Sequence, residues 1–235
     1  MTGNIKCCAI IVSAGNSTRM AAATSKQFLI INKIPVLIRT LLAFEAAEAV
    51  DSVLVVSRKE DIRDLEKLIL KYSINKVYKI VTGGQTRQQS VFAGISAAPQ
   101  DAGCYAIHDG ARALITPNEI DTVIQDGIKY GASALAVPVK DTIKVVNEDG
   151  FVTSTPDRSS LWAVQTPQVF QKALYLSAME KAINGGADYT DDCQLAEHAG
   201  VRVHLCRGTY TNLKLTTADD IPVSEAILSK REGTV

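Results

Sequence analysis

The sequence predicts an α/β fold, with a mainly parallel twisted sheet and helices on both of its faces. Two observations carry that expectation. Short runs of β-branched and small apolar residues are almost continuously apolar, as strands covered on both faces are. Between them lie longer stretches with apolar residues at helical spacing, and such alternation of strand and helix builds parallel sheets.

Five runs read as strands: Cys7 to Ser13 (CCAIIVS), Ser52 to Ser57 (SVLVVS), Lys76 to Val81 (KVYKIV), Cys104 to His108 (CYAIH) and Ser133 to Val139 (SALAVPV). Helical patterns separate them. Pro35 to Ala49 carries Leu37, Leu41 and Phe44 on one face, and Glu60 to Tyr72 carries Ile62, Leu65 and Leu68/Ile69. Thr116-Pro117-Asn118-Glu119 reads as a helix start, with a capping Thr, Pro at the first helical position and a capping-box Glu. After Val139 the rhythm breaks. Thr142 to Val146 and Phe151 to Thr155 flank Asn147-Glu148-Asp149-Gly150, whose Asp-Gly is a hairpin signal. No crossover helix of its own follows, so residues 139–160 read as an arm projecting from the sheet. Helices resume at Lys172 to Asn184 and Asp191 to His198. A strand follows at Val201 to Cys206, and a last helix begins near Thr217-Ala218-Asp219-Asp220, where Pro222 tightens or delays the first turn. With no repeat, low-complexity run or linker, residues 1–235 are expected to form one domain plus the arm.

Composition narrows the function classes. Apolar residues make up 46% of the 235, enough to form a substantial core. Lys+Arg and Asp+Glu both total 25, so there is no basic excess for bulk neutralisation of a nucleic acid, although a local cationic pocket stays open. Five cysteines with no CxxC pair argue against a disulfide framework or a structural zinc site and favour a reducing compartment. The N-terminal stretch has neither a membrane-length apolar run nor a secretory pattern, so a cytoplasmic protein without membrane partners is expected.

The candidate chemistry lies in loops at strand ends. Ser13-Ala14-Gly15-Asn16-Ser17-Thr18-Arg19-Met20 follows the first strand, where ligands of such sheets bind, and its small residues let backbone N–H groups approach an anion. Neither GxGxxG nor GK[ST] is present. Arg19 and Lys26 add two cations, and a solvated βα loop is the plain alternative. Gly83-Gly84-Gln85-Thr86-Arg87-Gln88-Gln89-Ser90 reads equally as a glycine turn capped by Thr86. His108-Asp109-Gly110-Ala111-Arg112 places a carboxylate where it suits Mg²⁺ or ligand hydroxyls, or simply pairs with Arg112 to brace a loop. Leu161 to Phe170 (LWAVQTPQVF) reads as packing, Thr190-Asp191-Asp192 as a helix cap, and Lys214 as a cation on a short apolar strand.

Taken in order, SAGNSTRM…SKQF, GGQTRQQS, HDGAR, VPVKDTIK, DRSSLWAVQTPQVF, TDD and NLKLTT resemble the 2-C-methyl-D-erythritol 4-phosphate cytidylyltransferases of the non-mevalonate isoprenoid pathway. The resemblance spans nearly the whole chain, and HDGAR and QTPQ favour this family over ribitol-5-phosphate cytidylyltransferases. Ser17 stands where the family has its last signature glycine, and Ser25 and Ala113 where it commonly has prolines. These differences affect loop stiffness and leave the charged groups in place. The resemblance implies a Rossmann-like nucleotidyltransferase fold with a protruding β-hairpin arm used for homodimerisation. It implies transfer of CMP from CTP to methylerythritol phosphate with release of pyrophosphate, and Mg²⁺ held mostly by the CTP phosphates. By similarity Arg19, Lys26 and Lys214 are the catalytic cations, Lys214 also contacting the acceptor phosphate. Ala14, Gly15, Gly83, Gln85 and Ser90 hold cytidine. Asp109, Arg112 and Thr190 meet the acceptor hydroxyls, with Asp109 also the metal candidate. Thr166 contacts the acceptor phosphate, and Thr142 and Arg158 reach in from a neighbouring subunit. The alternatives are the same transfer to ribitol or another alditol phosphate, and a catalytically silent nucleotide-binding module.

Overall fold

The computed structural model describes residues 5–15, 26–231 and 233, with only the backbone of Lys26. The first strand sets the frame. β1 (Cys7–Val12) is buried on both faces, and its side chains divide by parity: Cys7, Ala9 and Ile11 join one core, Cys8 and Ile10 the other. A short antiparallel pair, β2 (Ile30–Ile31) and β3 (Ile34–Pro35), leads into α1 (Val36–Ala46). There follow β4 (Ser52–Ser57), α2 (Ile62–Lys71), β5 (Val77–Thr82), α3 (Arg87–Ser96), β6 (Cys104–Asp109), α4 (Pro117–Tyr130) and β7 (Ala132–Pro138). The hairpin strands β8 (Val145–Val146) and β9 (Val152–Ser154) precede β10 (Trp162–Gln171), α5 (Lys172–Asn184), α6 (Asp192–His198), β11 (His204–Arg207) and α7 (Asp220–Arg231).

Seven strands form one sheet in the order β11-β7-β10-β6-β1-β4-β5. β10 runs antiparallel to both neighbours, and the remaining pairings are parallel. One core packs α1, α2 and α4 on the sheet through Leu41, Phe44, Leu65 and Val123. The opposite core packs α3, α5 and α6 through Val91, Tyr175, Met179 and Leu195. A third, smaller cluster joins Leu228 of α7 to Ile31, Leu114 and Leu215. The chain runs outward from β1 to β4 and β5, then returns to place β6 on the other side of β1. That reversal opens a crevice at the carboxyl ends of β1 and β6, the place where such sheets bind ligands.

The expected strands and helices form with ends shifted by a few residues. α4 has the full capping box, the Thr116 hydroxyl accepting from the Glu119 N–H while the Glu119 carboxylate accepts from the Thr116 N–H. Pro222 is third in α7, where a missing N–H leaves no helical hydrogen bond unmade. Two expectations are corrected. The segment read only as packing, Leu161 to Phe170, does contribute Val169 and Phe170 to the cores, but it forms most of a ten-residue strand, Trp162–Gln171, between β6 and β7. Its Pro167 argues against a central strand, but the register shifts between Val164 and Gln168, so the proline sits where the ladder is interrupted. The Thr166–Pro167 peptide there is cis. Lys214 is not on a strand; its segment is irregular and tied to the loop after β6 by the Leu215 N–H donating to the Ala111 carbonyl at 3.0 Å.

α4 approaches the sheet closely at Gly127, where an added Cβ would meet Val169 Cγ1 and lie 2.7 Å from Val169 Cβ. In a free helix, Gly→Ala would gain about 1 kcal/mol. Here overpacking against a strand costs about 1–3 kcal/mol. Gly127→Ala is therefore expected to lower Tm in thermal unfolding; an unchanged or higher Tm would show that α4 moves off the sheet without cost.

Candidate active site

A cleft of about 530 Å³ opens at the carboxyl ends of β1, β4, β5 and β6. Its rims are pinned to the sheet: the Ser13 N–H and hydroxyl both donate to the Val56 carbonyl at 2.8 Å, Gly83 N–H to Ser57 O at 2.9 Å, and Gly110 N–H to Val12 O at 2.9 Å. On one wall Gly83 lies so close to Ala14 and Ser90 that any Cβ would collide with Ala14 Cβ and sit 2.8 Å from Ser90 Oγ. Glycine alone fits there, and the turn exposes backbone to the cleft. Ser90 fixes it, its hydroxyl accepting from the Gly84 N–H at 3.1 Å and donating to Thr86 O at 2.9 Å.

The other wall is built around the Asp109 carboxylate. Lys214 Nζ lies 2.9 Å from Oδ2, Arg87 Nε 3.5 Å from Oδ1, and Arg112 Nε 3.8 Å from Oδ2. Burial alone would push the Asp109 pKa up. The positive charges of Arg87, Lys214 and Arg112 outweigh it and hold the carboxyl near about 2, ionised at any ordinary pH. Burial also opposes the charge on Arg87, but the Asp192 and Asp109 carboxylates hold its pKa above the usual arginine value. Arg87 Nη1 lies 2.6 Å from Asp192 Oδ2, and the Tyr175 hydroxyl donates to Asp192 Oδ1 at 2.5 Å.

Behind Asp109 runs a buried polar chain. The Asp109 N–H donates to Thr166 Oγ1 at 3.1 Å, and Thr166 Oγ1 lies 2.9 Å from His108 Nδ1. His108 Nε2 lies 3.4 Å from the Arg112 carbonyl, which can only accept. That assigns the ring proton to Nε2 and makes the Thr166 hydroxyl the donor to Nδ1. A Thr–His pair at this distance is reminiscent of a nucleophile and its base. Both are buried, however, and burial drops the His108 pKa to about 3, too low for a base at neutral pH. The pair braces the loop that carries Asp109 and Arg112. Lys214 is positioned from the same side: Arg112 Nη1 donates to Asn212 O at 2.7 Å, and Asn212 Nδ2 to Gln165 Oε1 and Thr166 O.

Of the residues expected at the site, Ala14, Gly15, Gly83, Gln85, Ser90, Asp109 and Lys214 line the cleft. Arg112 stands behind Asp109, and Thr166 is buried with its hydroxyl engaged by Asp109 and His108. Thr190 is exposed, next to Asp191, the N-cap of α6. Thr142 and Arg158 lie exposed on the arm, with Arg158 Nη1 donating to Lys140 O at 2.9 Å. Arg19 lies outside the described residues. Lys26 begins a short helical turn whose Gln27 lines the cleft and hydrogen-bonds Asp61. Sequence reasoning missed Arg87, Asp192 and Gln168. One signal was present: Arg87 follows a capping Thr at a helix start, where a cation is disfavoured unless carboxylates meet it.

The residues present do not fit a protein-held Mg²⁺ at Asp109. Three cations already neutralise that carboxylate, and Glu60 across the cleft pairs with Arg58 at 3.6 Å. Among the described residues no three of His, Cys, Asp or Glu gather as a ligand set.

A crevice at the strand-order reversal, walled by a glycine turn on one side and lysine and arginine on the other, is the site of a nucleotide-handling transferase on an α/β sheet. The comparisons name the family. Residues 7–230 match the 2-C-methyl-D-erythritol 4-phosphate cytidylyltransferase family. A curated member from Caldanaerobacter subterraneus is 46% identical over 223 residues, covering 94% of this chain and 98% of its own. One from Clostridium novyi is 44% identical over 228, covering 95% and 96%. A crystal structure of 4-diphosphocytidyl-2C-methyl-D-erythritol synthase from Anaerococcus prevotii superposes with TM-score 0.87 at 30% identity, covering 97% of this chain and all of that one. A Thermus thermophilus cytidylyltransferase gives 0.73 at 26%, covering 93% and 97%. The chain belongs to this family; it is a cytidylyltransferase with a Rossmann-like nucleotidyltransferase fold.

The His108 brace predicts an acid sensitivity. In the unfolded chain the imidazole takes a proton near 6.5, in the folded one only near 3, so its contribution is intact above 6.5 and is lost as pH falls toward 3. Asp109 adds a second loss below 3.8, extending to about 2. Stability is expected to fall by up to about 1.4 kcal/mol per pH unit below 6.5. Urea melts of His108→Gln should show a shallower slope between pH 6 and about 4.5 than wild type; parallel slopes would mean His108 is already protonated in the folded state.

Proposed function

We propose that the enzyme transfers CMP from CTP to 2-C-methyl-D-erythritol 4-phosphate, giving the CDP-alcohol and pyrophosphate. The observation that carries this reading is the pairing of walls across one cleft: a glycine turn sized for a nucleotide, and a carboxylate for hydroxyls set among cations for phosphate. Ala14, Gly15, Gly83, Gln85 and Ser90 hold cytidine. Asp109, Arg112 and Thr190 take the acceptor hydroxyls. Lys214 meets the acceptor phosphate, and Thr166 serves it by shaping the loop or by direct contact.

In the reaction an acceptor phosphate oxygen attacks the CTP α-phosphorus in line. A new P–O bond forms, and the bond from the α-phosphorus to the bridging oxygen breaks, its electron pair leaving with pyrophosphate. The nucleophile is already ionised at neutral pH, so no general base is required, in keeping with a neutral, buried His108. Arg19, Lys26 and Lys214 stabilise charge on the phosphoryl oxygens. Mg²⁺ enters as part of the substrate, carried by the triphosphate. One catalytic domain with a hairpin arm, working as a cytoplasmic homodimer, completes the reading. The described cysteines are all free thiols and no described helix is long and apolar enough to cross a membrane.

The deciding experiment incubates the protein with CTP, Mg²⁺ and either methylerythritol phosphate or ribitol 5-phosphate and identifies products by mass. Efficient turnover of the first is expected; preference for ribitol phosphate would transfer the reading to the alternative acceptor. UTP should be used far less well, because a pocket built for the cytosine amino group leaves an acceptor unpaired against uracil.

The arm exposes Val145, Val146, Phe151 and Val152, and a two-stranded hairpin is marginal alone, which supports its burial against a second subunit. On this reading Thr142 and Arg158 serve the neighbour's site. Lys26→Ala and Arg158→Ala should each lose most activity, on the order of 10²-fold or more in kcat for the lysine. Co-refolding equal amounts should restore roughly a quarter of wild-type activity, since half the dimers are mixed and each then has one intact site. Mixed dimers without recovery would place Arg158 in its own subunit's site.

A further inference from the structure

Arg87 lines the cleft, and the proposed chemistry gives it no task. It opens α3, the helix end where backbone N–H groups already concentrate positive charge and a cation is least favoured. Two carboxylates from distant parts of the chain hold it there. Nη1 lies 2.6 Å from Asp192 Oδ2, and Nε lies 3.5 Å from Asp109 Oδ1.

The two carboxylates differ in how firmly they are held. The Asp192 side chain is 3% exposed, and its second oxygen takes the hydroxyl of the fully buried Tyr175. Its N–H and that of Cys193 both donate to Gln168 Oε1 at 3.1 Å, so the start of α6 is fixed to β10. The start of α3 is stitched to the same region: the Thr86 hydroxyl donates to Asp188 at 3.0 Å, and Gln88 bonds the backbone of Ala187 and Tyr189. Asp109, by contrast, faces the cleft, and its nearest partner there, Lys214, is 45% exposed at the end of a flexible stem. A rigid planar fork that spans a fixed carboxylate and a cleft-facing one transmits the position of the first to the second; an ammonium is a single point charge and does not.

We infer that Arg87 is a positioning residue for the acceptor alcohol, its guanidinium anchored on Asp192 and setting the orientation of the Asp109 carboxylate toward the cleft. This rests on the proposed role of Asp109 in meeting the acceptor's hydroxyls. Arg87 then acts through Asp109, and the nucleotide wall at Ala14, Gly83 and Ser90 is untouched by it.

The test compares wild type, Arg87→Lys and Asp192→Asn by varying each substrate at saturating concentration of the other, with thermal melts alongside. Arg87→Lys is expected to lower kcat/KM for the acceptor by about 10–100-fold, the effect of misplacing a binding group by a fraction of an ångström to one. KM for CTP should change by less than about 3-fold, since that wall is independent of the fork. Asp192→Asn should act in the same direction. Arg87→Ala should regain acceptor kcat/KM with tens of millimolar guanidinium but not with methylammonium, a distinction that a purely structural loss would not show. Wild-type acceptor kinetics in both Arg87→Lys and Asp192→Asn would overturn the inference, as would a loss carried by KM for CTP or equal rescue by methylammonium. Should Arg87→Ala not fold, the other two variants decide. The acceptor used is whichever alditol phosphate the wild type turns over. If it turns over none, the proposed function itself fails and the inference falls with it; normal wild-type turnover with unselective variants removes the inference alone.

Discussion

The Asp109 carboxylate, held ionised in a nearly buried position, is the interaction on which the site depends. An isolated carboxylate in that place would be driven to protonate. Three cations prevent this, and each comes from a different stretch of chain: Arg87 from the start of α3, Arg112 from the loop after β6, Lys214 from the irregular segment before α7. Satisfying one charge therefore brings three loops to one place. The dependence runs both ways: burial lowers the pKa of Arg112, and Asp109 opposes that shift in part. Removing Asp109 would take from Arg112 its carboxylate partner, and an uncompensated buried charge costs more than an intact pair contributes.

The antiparallel strand β10 makes this cluster possible. Its register shift lies between Val164 and Gln168, beside the strand that ends in Asp109. From there Thr166 bonds the Asp109 N–H and His108, Gln165 and the Thr166 carbonyl bond Asn212 of the Lys214 segment, and Gln168 bonds the backbone at the start of α6. A strand with an unbroken ladder would direct these side chains alternately to the two faces of the sheet. The interruption lets consecutive polar residues serve the carboxyl edge. The cleft thus has a glycine wall built on parallel strands and a charged wall braced by the antiparallel strand β10.

How much of this was legible in the sequence depended on whether the signal was local. The parallel strands, the α4 capping box and the hairpin turn are consequences of nearby residues, and each formed close to its expected place. The residues lining the glycine wall were named by the family resemblance; the local pattern of Gly83 to Ser90 shows only a glycine turn capped by Thr86. β10 was not, because Pro167 and two glutamines resemble a loop until their hydrogen-bond partners are known. Lys214 read as a strand residue for the converse reason: Leu213 and Leu215 alternate around it, yet they face a small third cluster beneath the loop and not the sheet. Arg87 and Asp192 are 105 positions apart, and nothing in either neighbourhood names the other.

The overall charge of zero is informative once the site is known. With 25 cationic and 25 anionic residues, the protein has no net attraction for polyphosphate, so any selectivity for a small phosphorylated pair must come from local arrangement. In the charged wall Arg87, Arg112 and Lys214 face Asp109 and Asp192, leaving one positive charge in excess among those five. A single fixed excess is modest, and much of the cationic capacity is spent on holding Asp109. That division makes chemical sense for a transfer between two phosphates. Strong uncompensated charge would bind substrate, transition state and pyrophosphate alike, and uniform binding does not speed the chemical step. Cations already committed to a carboxylate are instead held in place at little further entropic cost, and on the proposed reaction they respond to charge that develops beside it. The arrangement favours orientation over affinity, in keeping with a reaction whose nucleophile arrives ionised and needs chiefly to be aimed.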